Sequence, residues 1–266
     1  MLFKNKICGK CGNSYDPTKE RCPGCLSTNE TFQSLGIAKN IFWLPFYIEL
    51  LFFVLGFSYG GRLLFSSIYY SFFESSEELF ASFMTNFLTY ATLAILMVGI
   101  AFVFDSKQFI IHLKNGKQYL FGLAFFGALL IGSLIIGRIA SVAGAQTNEN
   151  QGIVKKFFES FPVLSFLMMG LFGPICEEFT YRIGLFSFLR RLNRIVAYII
   201  TIIVFALIHF SFKQETIVNE LLNLPSYLFA GALLCFAYEF KGPMCSITAH
   251  CAYNIFSLLL LLIPEA

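Results

Sequence analysis

After residue 40 the chain is a succession of apolar runs, at approximately 41–60, 83–104, 118–140, 161–189, 194–212, 224–239 and 243–263. Each is close to the roughly 20 residues a helix needs to cross a hydrocarbon core. This pattern predicts an all-α polytopic membrane protein with about seven or eight transmembrane helices. The eighth depends on the short apolar segment 61–73, which could also extend the first span or lie at the interface. With 57% hydrophobic residues, 13% charged and a mean hydropathy of +0.70, the composition excludes a soluble globular chain. The first 40 residues are polar and rich in Cys and Lys, so no cleavable signal peptide is expected.

The net charge of +3 says little, but its placement says more. If seven spans alternate, 14 of the 19 basic residues fall on one side, in residues 1–40, 105–117 and 182–194 and at Lys241. The other side receives Arg62, Arg138, Lys155, Lys156 and Lys213, with the acidic loop Glu74, Glu77 and Glu78. Lys and Arg concentrate in cytoplasmic loops, so the N-terminus is expected inside and the C-terminus outside. Abundant Phe and Ile, with a cysteine module fused to a membrane domain, suggest a bacterial plasma membrane.

That module is the pair Cys8-Gly-Lys-Cys11 and Cys22-Pro-Gly-Cys25, two knuckles separated by ten residues. Four thiolates satisfy tetrahedral zinc, and Gly or Pro inside each knuckle permits the tight turn that aims both sulfurs at one ion. A structural zinc ribbon over 1–30 is expected, then a linker over 31–40 and a membrane domain over 41–266. Paired disulfides fit less well with a reducing cytosol. The ribbon could hold a protein partner or a substrate tail. Lys4, Lys6, Lys10, Lys19 and Arg21 are offset by Asp16, Glu20 and Glu30, so no nucleic-acid partner is indicated. Cys176, Cys235, Cys245 and Cys251 lie in spans and read as apolar packing residues.

Ionisable groups at membrane depth are costly and by default mark function. Three constellations stand out: Glu177, Glu178 and Arg182; Phe205 and His209; His250 and Asn254. Measured from the basic ends of their spans (Arg190, Arg194 and Lys241), Glu177, His209 and His250 lie about 20, 22 and 14 Å deep at 1.5 Å per residue. They should therefore share one layer. Glu178 and Arg182 are i and i+4 and can neutralise one another, which leaves Glu177 about 100° away to face another helix. Pro174 is expected to break or kink the long run 161–189. A carboxylate with an imidazole can hold and deprotonate a water, and an imidazole with an amide can donate to a developing oxyanion.

In their order and approximate separation, Glu177-Glu178-x-x-x-Arg182, Phe205-x-x-x-His209 and His250-x-x-x-Asn254 resemble the motifs of the CPBP family. That family of intramembrane proteases contains the type II CAAX prenyl endopeptidases and the bacteriocin-processing or immunity (Abi) proteins. The resemblance covers about 83–263 and leaves the ribbon outside. It implies Glu177 as the base that activates water, with His209 as its partner. It implies His250 and Asn254 as the oxyanion hole, and Glu178 and Arg182 as a supporting pair beside Phe205. Members have been described both as metalloproteases and as glutamate proteases. Glu177, His209 and His250 could supply three ligands to a catalytic zinc with an open fourth position. Yet HExxH is absent, and Asn254 suits hydrogen bonding better than ligation.

The implied function is an endopeptidase acting in membrane lipid on a membrane-associated or prenylated-type peptide. Two other classes compete with it. One is a non-proteolytic scaffold or bacteriocin-immunity protein whose ribbon recruits a partner. The other is a transporter relaying protons through Glu and His, against which no inverted repeat is found.

Overall fold

The computed structural model describes residues 6–7, 13–16, 21–25, 67 and 78–263. Strands β1 (Lys6–Ile7) and β2 (Ser14–Tyr15) pair antiparallel, with Lys6 opposite Tyr15 and Ile7 opposite Ser14. Tyr15 and Cys22 are buried and pack with Cys25. Cys8 and Cys11 lie outside the described residues, as does the expected span 41–60, and so do 61–73 apart from residue 67.

Among the described residues seven helical elements come next: α1 (Glu78–Leu113), α2 (Gly116–Val142), α3 (Glu149–Ser160), α4 (the run 162–192), α5 (Arg194–Leu207), α6 (Ile217–Lys241) and α7 (Pro243–Leu260). Five of them contain stretches long and apolar enough to cross a membrane: Glu78–Val103, Gly116–Val142, Pro162–Arg190, Ile217–Lys241 and Pro243–Leu260. The chain is an integral membrane protein. The expected span 194–212 needs correction. Its helix stops at Leu207 after 14 residues, about 21 Å by the α-helical rise and short of a hydrocarbon core of roughly 30 Å. Beyond Leu207 the chain makes a turn and then an irregular polar loop, so His209 sits on non-helical backbone. Such backbone is tolerated at membrane depth where it lines a cavity or is buried in protein.

Pro174 does not end its helix. Proline has no N–H, and a normal turn would leave a carbonyl stranded. Here the preceding turn, Met168–Phe172, widens to a π-helix, and the Gly173 amide donates five residues back to Met168 O. Met169 O is then passed over twice, since Gly173 is committed to Met168 and Pro174 cannot donate. The side-chain amide of Asn254 on α7 reaches across and donates to it at 2.9 Å. A second π-helical stretch, Glu178–Phe186, carries the charged motif, consistent with the association of π-bulges with functional sites.

The core lies where α1, α4, α5, α6 and α7 meet, with Leu93, Met97, Cys176, Phe179, Ile183, Phe186, Cys235 and Tyr238 buried together. Cys176, Cys235 and Cys245 are buried as expected of packing residues, whereas Cys251 is half-buried. At the basic end, Glu239 on α6 accepts from Arg190 Nε (2.7 Å), Arg194 Nη2 (3.0 Å) and the Tyr198 hydroxyl (2.6 Å), tying α4, α5 and α6. Gly242, at φ +99°, turns α6 into α7 there, and the first amides of α7 include Met244 N, which donates to Gln118 Oε1 at 3.1 Å. Gln118 also meets His112 Nδ1 at 2.8 Å, which gives that histidine a structural place away from the site.

Helices α2 and α7 approach closely at Gly122, where a Cβ would come within 2.9 Å of Cys245 O and 2.6 Å of Thr248 Cβ. Close approach through a small residue is a common way for membrane helices to pack, since lipid supplies no hydrophobic drive between them. Gly127 and Gly137 face open space, and a Cβ on Gly132 would meet the Phe229 ring. Gly122→Val should therefore destabilise the bundle by about 1–3 kcal/mol, whereas Gly127→Val should leave it unchanged. Thermal unfolding of the two variants in detergent, side by side, checks this.

Candidate active site

Three elements bring the expected residues to one point. Glu177 comes from the middle of α4, His209 from the turn after α5 and His250 from the second turn of α7. Glu177 Oε2 lies 4.0 Å from His209 Nε2 and 3.8 Å from His250 Nε2. Glu177 Oε2 is buried and has no hydrogen-bond partner among the described residues. Separations of 3.8–4.0 Å exceed a direct hydrogen bond and suit a bridging water.

The orientation of each imidazole is fixed from behind. His209 Nδ1 lies 2.8 Å from Phe205 O, and a carbonyl can only accept, so Nδ1 carries the proton. His250 Nδ1 lies 2.9 Å from Glu178 Oε1 and donates to it for the same reason. Both Nε2 atoms thus face Glu177. Glu178 Oε1 also pairs with Arg182 Nη1 at 2.9 Å, and both side chains are fully buried. The guanidinium lies over the Phe205 ring at 4.3 Å. Phe205 therefore touches three parts of the site, since its ring also contacts His209 (4.9 Å) and His250 (6.0 Å).

Asn254 lies one turn beyond His250, on the same side of α7. One amide hydrogen is committed to Met169 O, and an amide nitrogen has a second to offer. Glu177, Phe205, His209, His250 and Asn254 all line one cavity of about 360 Å³. Its walls include the aliphatic Leu129, Leu258 and Leu261 and the polar Asn150, Asn223 and Ser226.

Next to the lining residues Asn150, Asn223 and Tyr227 in the chain stand polar residues that sequence reasoning missed. Asn148 caps α3, its side chain accepting from Gln151 N. Glu220 is buried and accepts from Glu149 N at 3.0 Å and Ser211 N at 3.3 Å. Asn219 accepts from Gln146 N at 2.7 Å, and the Asn223 amide donates to Gln146 O at 3.0 Å. Lys213 pairs with Glu149 at 2.8 Å, and that hydrogen bond holds the Glu149 carboxyl below its usual range. Asn219, Glu220, Asn223 and Tyr227 recur at three- and four-residue spacing, the signature of one helical face. A span read as 224–239 leaves most of that face outside its helix.

For a catalytic zinc the donor atoms are chemically suitable, but their spacing is wide. Tetrahedral ligands at about 2.1 Å from an ion stand about 3.4 Å apart, whereas Glu177 Oε2 is 3.8 and 4.0 Å from the two imidazoles. Among the described residues no three His, Cys, Asp or Glu side chains form a metal-binding group. The residues as placed do not fit the ion.

No curated protein and no solved structure matches the chain. Residues 159–256, which run from the end of α3 through His250 and Asn254, match the family model described as type II CAAX prenyl endopeptidase Rce1-like. Over those residues the helical core that carries the site is similar to the type II CAAX prenyl endopeptidase Rce1-like family.

Proposed function

We propose that the chain is an intramembrane endopeptidase that hydrolyses a peptide bond of a membrane-associated or prenylated-type peptide by a glutamate-activated water. The observation that carries this reading is the convergence of Glu177 Oε2 with two Nε2 atoms at water-bridging distance inside the cavity. Glu177 takes a proton from the water, and the water oxygen attacks the scissile carbonyl carbon. His209 holds the water through Nε2. The negative charge that develops on the carbonyl oxygen is met by the protonated Nε2 of His250 and the second amide hydrogen of Asn254. Glu178 stabilises the charged imidazole through Nδ1, with Arg182 balancing the carboxylate. Collapse of the tetrahedral intermediate breaks the C–N bond, and the proton held by Glu177 passes to the leaving amine. The aliphatic lining residues favour an apolar peptide or lipid-modified segment. The N-terminal ribbon holds a structural zinc through Cys8, Cys11, Cys22 and Cys25 on the cytoplasmic side, and could present a protein partner.

Chemistry and assembly separate cleanly in mutants. Glu177→Gln and His209→Ala should each cut turnover about 10²–10⁴-fold with the unfolding temperature unchanged, measured by mass spectrometry on a prenylated or membrane-anchored peptide pool. Glu178→Ala strands a buried guanidinium and should cost about 3–5 kcal/mol of stability, seen as a marked fall in the unfolding temperature. A Glu177→Gln protein with wild-type turnover would overturn the mechanism. In a protein lacking residues 1–30, cleavage should persist after chelation, with no zinc detected by elemental analysis. Stoichiometric zinc lost together with activity would move the reaction to a metal-bound water.

A further inference from the structure

His209 lies two residues past the end of α5, so no helix holds it. Its hydrogen bond from Nδ1 to Phe205 O fixes one atom and leaves the ring free to tilt about that contact. Tyr227 removes that freedom. The two rings stack with centroids 4.8 Å apart and planes 19° from parallel, whereas Phe205 meets the imidazole at 50°.

The phenol is itself held. Its oxygen accepts from Asn148 Nδ2 at 2.9 Å and Asn150 Nδ2 at 3.3 Å. Asn148 is 1% exposed, and its own oxygen is occupied by the Gln151 amide. Glu220, two turns before Tyr227 on α6, binds Ser211 N beyond His209 and Glu149 N beyond Asn148. One helix therefore fixes the loop that carries the imidazole and the loop that anchors the stacking ring.

We propose that Tyr227 is a positioning residue for His209, setting the plane of the imidazole by ring stacking, with Asn148 and Asn150 locking the phenol in place. The inference rests on the proposed role of His209 in holding the water. A ring-plane error moves Nε2 relative to Glu177 Oε2, now 4.0 Å away, and misplacement of about 1 Å in a catalytic geometry costs about 100-fold.

The chain has three histidines, so protein labelled with 13C at histidine Cε1 gives three assignable signals in detergent. Tyr227→Leu should abolish the upfield ring-current shift of the His209 signal and leave that of His112 in place. It should lower kcat about 10- to 100-fold, with a smaller change in KM. Tyr227→Phe keeps the stacked face and should retain the His209 shift, with turnover between those of wild type and Tyr227→Leu. An unmoved His209 signal in Tyr227→Leu would overturn the inference. Equal loss of kcat in both variants with the signal unmoved would do so too, by assigning Tyr227 to substrate contact. Should Tyr227→Leu fail to fold, Asn150→Ala loosens the phenol and should broaden the His209 signal; a wild-type signal there overturns the proposal. The spectrum needs no turnover, so a moved signal in a protein that cleaves nothing would fault the hydrolytic reading and leave the positioning intact.

Discussion

Glu178 carries two partners on one oxygen, in a place where neither water nor a lipid headgroup can help. Its carboxylate is fully buried, and Oε1 lies 2.9 Å from both Arg182 Nη1 and His250 Nδ1. A lone charge at this depth would carry a desolvation penalty of several kcal/mol, so the carboxylate depends on its guanidinium partner. Once formed, it dictates much else. Arg182 is pinned over Phe205, Phe205 supplies the carbonyl that orients His209, and His250 turns Nε2 toward Glu177. The Glu177 carboxylate, one residue earlier, is left without the guanidinium because its neighbour has taken it. Two adjacent glutamates thus acquire opposite environments from a single ion pair.

Pro174 shows how a local defect becomes a connection between helices. A proline inside α4 strands a carbonyl, a π turn shifts the vacancy to Met169 O, and Asn254 fills it from α7. The same asparagine lies beside His250 in the cavity. The backbone fault in α4 and the proposed oxyanion side of the site are therefore coupled through one amide group, which has one hydrogen for each. Its neighbours on α4, the π stretch Glu178–Phe186 and the buried Ser187, continue the departure from regular α geometry through the whole motif.

Much of this was legible in the residues. The apolar runs pointed to the helix bundle, and the depth arithmetic placed Glu177, His209 and His250 at one level, where the structure brings them together. The i, i+4 reading of Glu178 and Arg182 became a 2.9 Å pair. What failed did so for identifiable reasons. Hydropathy cannot see where a helix ends inside an apolar run, so 194–212 looked like a full span although its polar tail folds back on Glu220. Tyr227 was hidden because its role depends on loops more than 70 residues earlier in the chain.

The short α5 has a consequence for the bilayer itself. A hydrolase in hydrocarbon needs water, yet a continuous aqueous path would discharge ion gradients. By stopping at Leu207, α5 gives way to a polar loop, and His209 at its start lines the same cavity as Glu177 and His250. Ile183, Phe186, Cys235 and Ala237 are sealed, each no more than 1% exposed, and Arg190, Arg194 and Glu239 knot the helices at the basic end. The cavity has polar walls and these four side chains are closed off from it, so a hydrated site and a dry core share one bundle.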